Sequence, residues 1–437
     1  MSLPLADQVA RERAATASNE NIVVTAGAGT GKTTLLIDRL THLLFRPDRR
    51  LTIGQIVALT FTNKAANEMK VRLRQRLQVM QDLARARWSE KDSQNHEAKV
   101  IRDLQILYGL TDQQIADVAE HTFYDLERAH IETIHSFSGY VLRLFPVEAG
   151  VDPSFQEDDG TQFEAHFHGE WNRWLAHELQ KDGPNRECWR AILRLVCLED
   201  LEQFARVLMN ELVPFASLAA IQDDGLLPQP IRNWIFGLLE TARELRQVYD
   251  KEQKLELLLD EAIDRLNAVI HGVYFEPEIR ESLRNPKIPP KPKSWSDEDY
   301  LHARSIVKVA QASRTLAPKA LRDFLRTLLP FLGECQRTYL NAGWVSFNGL
   351  IVKARDLLRD TPRVRCDIKQ QFQAILVDEF QDTDPVQYEL ILYVAEKSNH
   401  EARAWPQIQL EPGKLFIVGD PKQSIYAFRR ADIEAYD

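Results

Sequence analysis

Four short apolar runs stand out along the chain, at residues 21–26, 55–60, 374–377 and 415–418. Each is rich in Val, Ile and Leu and gives way to polar or glycine residues at its C-terminal end. Such runs read as strands buried on both faces, the habit of a parallel sheet, whose ligands lie beyond the strand C-termini. From about 156 to 345 the period changes. Residues 238–269 and 320–339 repeat apolar positions at helical spacing, the latter with a predicted kink at Pro330, and no strand-like alternation is visible. The stretch NPKIPPKPKS at 285–294 predicts an exposed extended loop, because its prolines forbid a helix interior. There is no internal repeat and no long low-complexity segment. The pattern therefore predicts an α/β nucleotide-binding domain with a parallel sheet, built from residues 1–155 and 345–437. A mostly α-helical domain, 156–344, interrupts it.

Composition narrows the class. The chain has 437 residues, 27% charged and 44% hydrophobic, which fits a globular protein of two or three domains. No apolar run approaches the roughly eighteen residues of a membrane span, and none follows the start Met. Cys188, Cys197, Cys335 and Cys366 show no CxxC spacing. That argues against zinc or iron–sulfur chemistry, and scattered thiols suit a reducing cytoplasm. A net charge of −9 excludes nucleic-acid binding over the whole surface but leaves room for a local basic track.

Candidate chemistry is concentrated at the ends of the apolar runs. Residues 26–33 read AGAGTGKT, between a predicted strand at 21–25 and a predicted helix at 33–45. Small residues let backbone N–H groups close around phosphate oxygens at a helix N-terminus, which also supplies its positive dipole end. The nucleotide-binding set is Ala26, Gly27, Ala28, Gly29, Thr30, Gly31, Lys32, Thr33 and Thr34. Lys32 reaches the β- and γ-phosphates and the Thr33 hydroxyl ligates Mg²⁺. Ala26 stands where the strict pattern has Gly.

The string ILVDEFQDTD at 375–384 ends a strand in two carboxylates. Beside a Mg²⁺–nucleotide, Asp378 would hold the hydrated metal and Glu379 would orient and deprotonate water. In LFIVGDPKQSIYAFRR at 415–430, Gln423 is placed to sense the γ-phosphate. Tyr426 and Phe428 could stack on unpaired bases at ~1–3 kcal/mol each, or serve as core residues.

Two further segments, TFTNKAANEM at 60–69 and ETIHSF at 132–137, complete the set. Thr62 and Asn63 open a helix as donors suited to a phosphodiester backbone. The helix at 64–87 sets Lys64, Lys70, Arg72, Arg74, Arg76, Arg85 and Arg87 against Glu68 and Asp82. That is a local basic patch or a solvated helix face. His166 and His168 with Glu164 are weak metal candidates, since i and i+2 on a helix point apart. Lys287, Lys291 and Lys293 are weak candidates for duplex contact in a loop that reads more simply as solvated.

In this order the motifs resemble the UvrD/Rep family of superfamily-one DNA helicases. IETIHSFSGYVLRLFPVEAG and VSFNGLIVKARDLL resemble the helicase subunits of RecB- and AddA-type recombination nucleases. The resemblance covers 1–155 and 345–437. The middle matches only in position, as the family's helical insertion. It implies a RecA-like P-loop NTPase domain and movement along single-stranded DNA driven by ATP and Mg²⁺, 3′ to 5′, in DNA repair or recombination. Implied partners are single-stranded DNA, ss/ds junctions and a nuclease or recombination subunit. Lys32 and Thr33, Asp378 and Glu379, and Gln423 correspond to the family's nucleotide machinery, and Arg429 to the arginine that couples nucleotide state to DNA. Phe61, Thr62, Asn63, His135, Tyr426 and Phe428 fall where the family contacts the strand, with Phe428 in place of a frequent Trp.

Two departures qualify the match. Arg11 sits at the usual spacing of the adenine-reading Gln, with Gln8 one turn earlier. The family's second RecA-like domain has no counterpart before Asp437. From that we expect weak Mg·ATP binding, poor hydrolysis and no unwinding by these residues alone, since losing a trans-supplied arginine costs ~10³–10⁵ in rate. The competing class is a nucleotide-gated module that binds DNA or protein without translocating. An unrelated P-loop kinase or metabolic ATPase is a third. Salt-sensitive binding of single strands separates the first two from the third.

Overall fold

The computed structural model describes residues 7–27, 29–85, 96–180, 182–194, 196–209, 229–249, 254–271, 288–313 and 318–420. Its contacts divide the chain into two units, residues 1–155 with 349–437, and residues 156–348.

The first unit is α/β. Its sheet comprises β1 (Ile22–Thr25), β2 (Ile56–Thr60), β3 (His130–Thr133), β6 (Ala374–Val377) and β7 (Leu415–Gly419), in the order β1-β7-β6-β2-β3. Every pairing is parallel. All five strands therefore deliver their following loops to one edge. Central strands β2, β6 and β7 are buried at every position, which is why they read as unbroken apolar runs. Ile56, Ala58, Leu376, Phe416 and Val418 share one core with helices α2 (Lys32–Phe45), α3 (Asn63–Arg85), α4 (His96–Tyr108) and α5 (Asp112–Tyr124). By the two-residue period, the buried Val57, Leu59, Ile375 and Ile417 face the opposite layer. The remaining labelled helices are α1 (Gln8–Thr16) and α6 (Ile134–Leu144).

The edge strands differ. β1 alternates half-buried with exposed positions, leaving Val23 57% exposed. β3, HIET, alternates half-buried and buried, so it makes no continuous apolar run and was absent from the predicted strands.

The second unit is mostly helical, with one correction. β4 (Gln156–Asp158) and β5 (Trp344–Ser346) pair in parallel, where no strand was expected between 156 and 345. Three residues each, QED and WVS, are too few to show a period. Its helices pack into two cores. One is centred on Phe167, Trp171, Trp189, Phe324 and Leu328, the other on Leu239, Leu259, Leu266, Trp295 and Ile306.

The helical pattern at 238–269 belongs to two helices, Gln229–Val248 and Lys254–Ile270. Both feed one core, which is why their apolar positions share one spacing. Tyr249 marks the end of the first, its ring stacked on Trp295 at 3.8 Å and its hydroxyl donating to Asp299. A single helix, Pro318–Asn341, passes through Pro330. Of the proline-rich stretch, residues 288–294 are described and form neither helix nor strand.

Candidate nucleotide and strand site

The phosphate loop grows out of β1. The Ala26 N–H donates to the Gly419 carbonyl at 3.0 Å, extending the β1–β7 pairing by one residue. Gly29 (φ 72°) and Gly31 (φ 89°) then adopt the left-handed region that favours glycine. Gly31 is the residue that caps α2, so the turn ends by presenting the N-terminus of a helix whose first residue is Lys32. Thr30 closes the loop, its hydroxyl donating to the Gly27 carbonyl at 2.8 Å. Thr33 is half-buried and Thr34 exposed in the first turn of α2. Ala28 lies outside the described residues. A helix N-terminus behind a turn of this shape fits an anionic phosphate chain.

Arg11 on α1 reaches the same loop, donating to the Thr30 carbonyl at 2.6 Å and to Asp7 at 2.9 Å. Gln8, one turn earlier, donates to Glu12 at 2.7 Å on the exposed side of the helix. The Arg11 guanidinium is thus bound to the phosphate loop.

The acidic pair follows β6. The Asp378 N–H donates to the Leu59 carbonyl at 2.9 Å, continuing the sheet for one more residue. Glu379 then turns left-handed at φ 52°, the one non-glycine residue with positive φ among the described residues. For a glutamate this costs on the order of 1–3 kcal/mol, and such strain collects at functional sites. The turn aims Glu379 at the phosphate loop, where its Oε2 meets Lys32 Nζ at 2.6 Å. Burial, and then the neighbouring Glu379, push the Asp378 carboxyl up to about 6, against the opposing pull of Lys32. Asp382 is raised by the same causes, and its buried Oδ1 has no hydrogen-bond partner.

Three carboxylates around one lysine leave negative charge uncompensated at low dielectric, which a divalent cation would relieve. Among the described residues no three His, Cys, Asp or Glu side chains converge as a metal cage. One carboxylate and one hydroxyl, completed by phosphate oxygens and water, is the donor set Mg²⁺ accepts. The residues present fit that ion.

Gln381 was missed by sequence reasoning. It is 3% exposed, in the short turn Phe380–Asp382. Its Nε2 donates to Glu379 Oε2 at 2.7 Å and its Oε1 accepts from the Asp420 N–H at 2.9 Å. The only signal in the sequence is a polar amide two residues after Glu379, inside the acidic string at 375–384.

The strand-facing candidates follow β2 and β3, which are neighbours with Thr60 opposite Thr133. Thr62 caps α3 by accepting from the Ala65 N–H at 3.1 Å, and Thr133 caps α6 by accepting from the Ser136 N–H at 3.2 Å. Two helix N-termini therefore open side by side. Thr62 and Asn63 are exposed there, and Phe61 and His135 are half-buried. Gln423, Tyr426, Phe428 and Arg429 lie outside the described residues.

The basic helix is less basic at its surface than its residue count implies. Arg76 is buried and paired with Asp38, Arg72 pairs with Glu68, Arg85 with Glu120, and Arg74 lies over the Phe123 ring. Arg87 lies outside the described residues, while Lys64 is exposed in the first turn of α3. In the helical unit His166 is held by the Cys335 carbonyl and the Thr338 hydroxyl, and His168 faces Glu202. Neither histidine belongs to a metal cluster. No helix among the described residues is long and apolar enough to cross a membrane.

Comparison with known proteins gives the family of the chain. Residues 8–437 match the family described as UvrD/REP helicase N-terminal domain. The chain is similar to an ATP-dependent helicase/nuclease subunit from Bacillus pumilus, 27% identical over 94% of this chain and 35% of the relative. The protein of the same name from Alkaliphilus metalliredigens is 26% identical over 98% of this chain and 36% of the relative. That from Listeria monocytogenes is 25% identical over 96% and 35%. The chain thus spans about a third of the length of the curated relatives it matches.

Proposed function

The chain belongs to the UvrD/REP helicase N-terminal domain family, and from that premise we propose that it binds ATP and single-stranded DNA. It does so as the N-terminal portion of an ATP-dependent DNA helicase or translocase of DNA repair or recombination, moving 3′ to 5′. The observation that carries this reading is one sheet edge. Phosphate loop, acidic pair and two capped helix N-termini all follow parallel strands of a single sheet.

On this reading the loop N–H groups and Lys32 bind the triphosphate, and Thr33 and Asp378 hold Mg²⁺. The metal, when bound, draws charge from the phosphates. Lys32 exchanges Glu379 for phosphate oxygen, and Glu379 orients the attacking water and takes its proton. Phe61, Thr62, Asn63 and His135 meet the DNA strand, with Tyr426 and Phe428 stacking on its bases. Gln423 senses the γ-phosphate and Arg429 couples that state to DNA. The substrates are single strands and ss/ds junctions, and the partner is a nuclease or recombination subunit.

The test is equilibrium binding of a fluorescent ATP analogue with Mg²⁺, binding of a dT oligomer across a salt series, and turnover beside Glu379→Gln. We expect both ligands to bind, with oligomer affinity falling steeply as salt rises. Turnover should drop about 10²–10⁴-fold in Glu379→Gln. Absence of nucleotide binding, or oligomer binding indifferent to salt, overturns the reading.

A further inference from the structure

We propose that the cavity of the helical unit docks a partner polypeptide, through an arginine side chain laid across Trp174 and paired with Glu178. The inference does not rest on the function proposed above.

The cavity measures about 1250 Å³ and is lined by the helices Thr161–Glu178, Arg186–Ile192 and Pro318–Asn341. Small-molecule sites commonly span ~300–1,000 Å³, so this one has room for a short stretch of chain. Glu170, Trp174 and Glu178 are spaced four apart on the first helix and so share its cavity face. The wall there is aromatic, with the Trp174 ring stacked on Phe331 at 4.5 Å and 16° between their planes. Phe331 is buried and Trp174 half-buried, so the indole is the ring a ligand reaches.

Charge selects the ligand. Five carboxylates line the cavity against two arginines and one histidine, which disfavours a phosphodiester backbone. Four of the five, Glu170, Glu187, Asp323 and Glu334, each pair with the arginine three residues on, at 2.5–3.7 Å. Glu178 is different. It is 5% exposed, and its partners among the described residues are neutral. Asn185 Nδ2 and Trp189 Nε1 both donate to Oε2 at 3.0 Å, while Oε1 has only a longer bond of 3.3 Å from the same amide. A carboxylate offers about four acceptor sites, and one buried without a cation gains most from a charged donor. A guanidinium answers both features at once. It stacks flat on an indole face and presents forked donors to a carboxylate. A lysine ammonium brings the charge without the plane.

The test is fluorescence anisotropy of a labelled, blocked Leu-Arg-Leu-Arg-Leu peptide titrated with the 437-residue chain. We expect saturable binding, weakened about threefold by lysine in place of arginine and about tenfold by glutamine. Glu178→Gln should weaken the arginine peptide about tenfold, and Trp174→Leu about fivefold. Glu202→Gln removes an acidic charge of the same unit that does not line the cavity, and should leave binding within about twofold. Should Glu178→Gln fail to fold, Trp174→Leu, which alters a half-buried ring, supplies the reading. Equal binding of the glutamine peptide, full-strength binding to a folded Glu178→Gln protein, or an equal loss in Glu202→Gln overturns the inference. Displacement of the peptide by a dT oligomer also overturns it, assigning the face to nucleic acid. Light scattering completes the set, since a chain that self-associates until the peptide is added reserves this face for a second copy and overturns the inference too.

Discussion

Two aspartates, one in each unit, stand at strand ends and are treated in opposite ways. Asp158 ends β4 in the helical unit and is 3% exposed. Its oxygens accept from the N–H groups of Gly160, Gln162 and Phe163 and from the Tyr339 hydroxyl, at 2.7–3.1 Å. Burial alone would raise its carboxyl, but these donors hold it below the usual carboxylate range. Asp378 ends β6 in the sheet unit, accepts from the adjacent Glu379 N–H at 3.1 Å, and is pushed up to about 6 by burial and Glu379. A carboxylate with its donors supplied is a structural strut. One buried beside a second carboxylate is held ready for a positive partner.

The largest expected effect breaks the second half of this contrast. Lys32→Ala removes the single cation that faces Glu379 in the ion pair, and with it the proposed phosphate ligand. Nucleotide affinity should fall about 100-fold, matching the 2–5 kcal/mol typical of truncating a buried charged partner. Titration of the fluorescent nucleotide checks it, and retained binding would mean the loop does not cradle phosphate.

Next in size is the strut. Asp158→Ala leaves three backbone N–H groups and a tyrosine hydroxyl without their acceptor, and should cost about 2–4 kcal/mol. The buried Trp171 and Trp189 report on this unit, so urea unfolding followed by tryptophan fluorescence is the measurement. Nucleotide affinity should be unchanged. A stable Asp158→Ala protein would show that the four donors find water instead.

How far this contrast was legible in the sequence depends on how far apart the partners lie. The central strands announced themselves because burial on both faces makes every position apolar, whereas edge strand β3 hid behind its alternation of His130, Ile131, Glu132 and Thr133. The placement of Lys32, Asp378 and Glu379 was legible because each belongs to a local string with its own geometry. Gln381 was not, because its second partner lies 39 residues away across the β6–β7 pairing. Arg11 shows the same limit, meeting the Thr30 carbonyl 19 residues on. The basic helix misled in the other direction, since counting charges could not show that Arg76 turns inward to Asp38.

A smaller effect sharpens the comparison by reversing its sign. Asp378→Asn removes the charge that burial and Glu379 oppose, and so should stabilise the sheet unit by on the order of 1–2 kcal/mol at pH 7. Mg²⁺-dependent nucleotide binding should weaken in the same variant. Thermal melting with and without Mg·ATP reads both. A destabilised variant would mean that Lys32 already compensates Asp378 in full.

The smallest effect is the pH dependence of that gain, and here the sheet unit opposes itself. Asp378 has a folded value near 6 against an ordinary 3.8, so between these values the folded state binds more protons. Its contribution to stability is fully present below about 3.8 and is lost as pH rises through about 6. His42, at the end of α2 beside Tyr108, is pushed down to about 4 chiefly by burial. The unfolded state binds the extra proton there, so its contribution is present above about 6.5 and lost as pH falls through about 4. The two slopes have opposite signs across nearly the same window, and the wild-type melting profile between pH 4 and 6.5 should be correspondingly flat. In Asp378→Asn the Asp378 slope is gone, while the opposing slopes of His42 and of the raised Asp382 remain. The variant's advantage at pH 7 should therefore shrink steadily on acidification and vanish near pH 4. Parallel melting curves for the two proteins across this range would mean that Asp378 titrates as an ordinary surface carboxylate, and the contrast with Asp158 would then rest on hydrogen bonding alone.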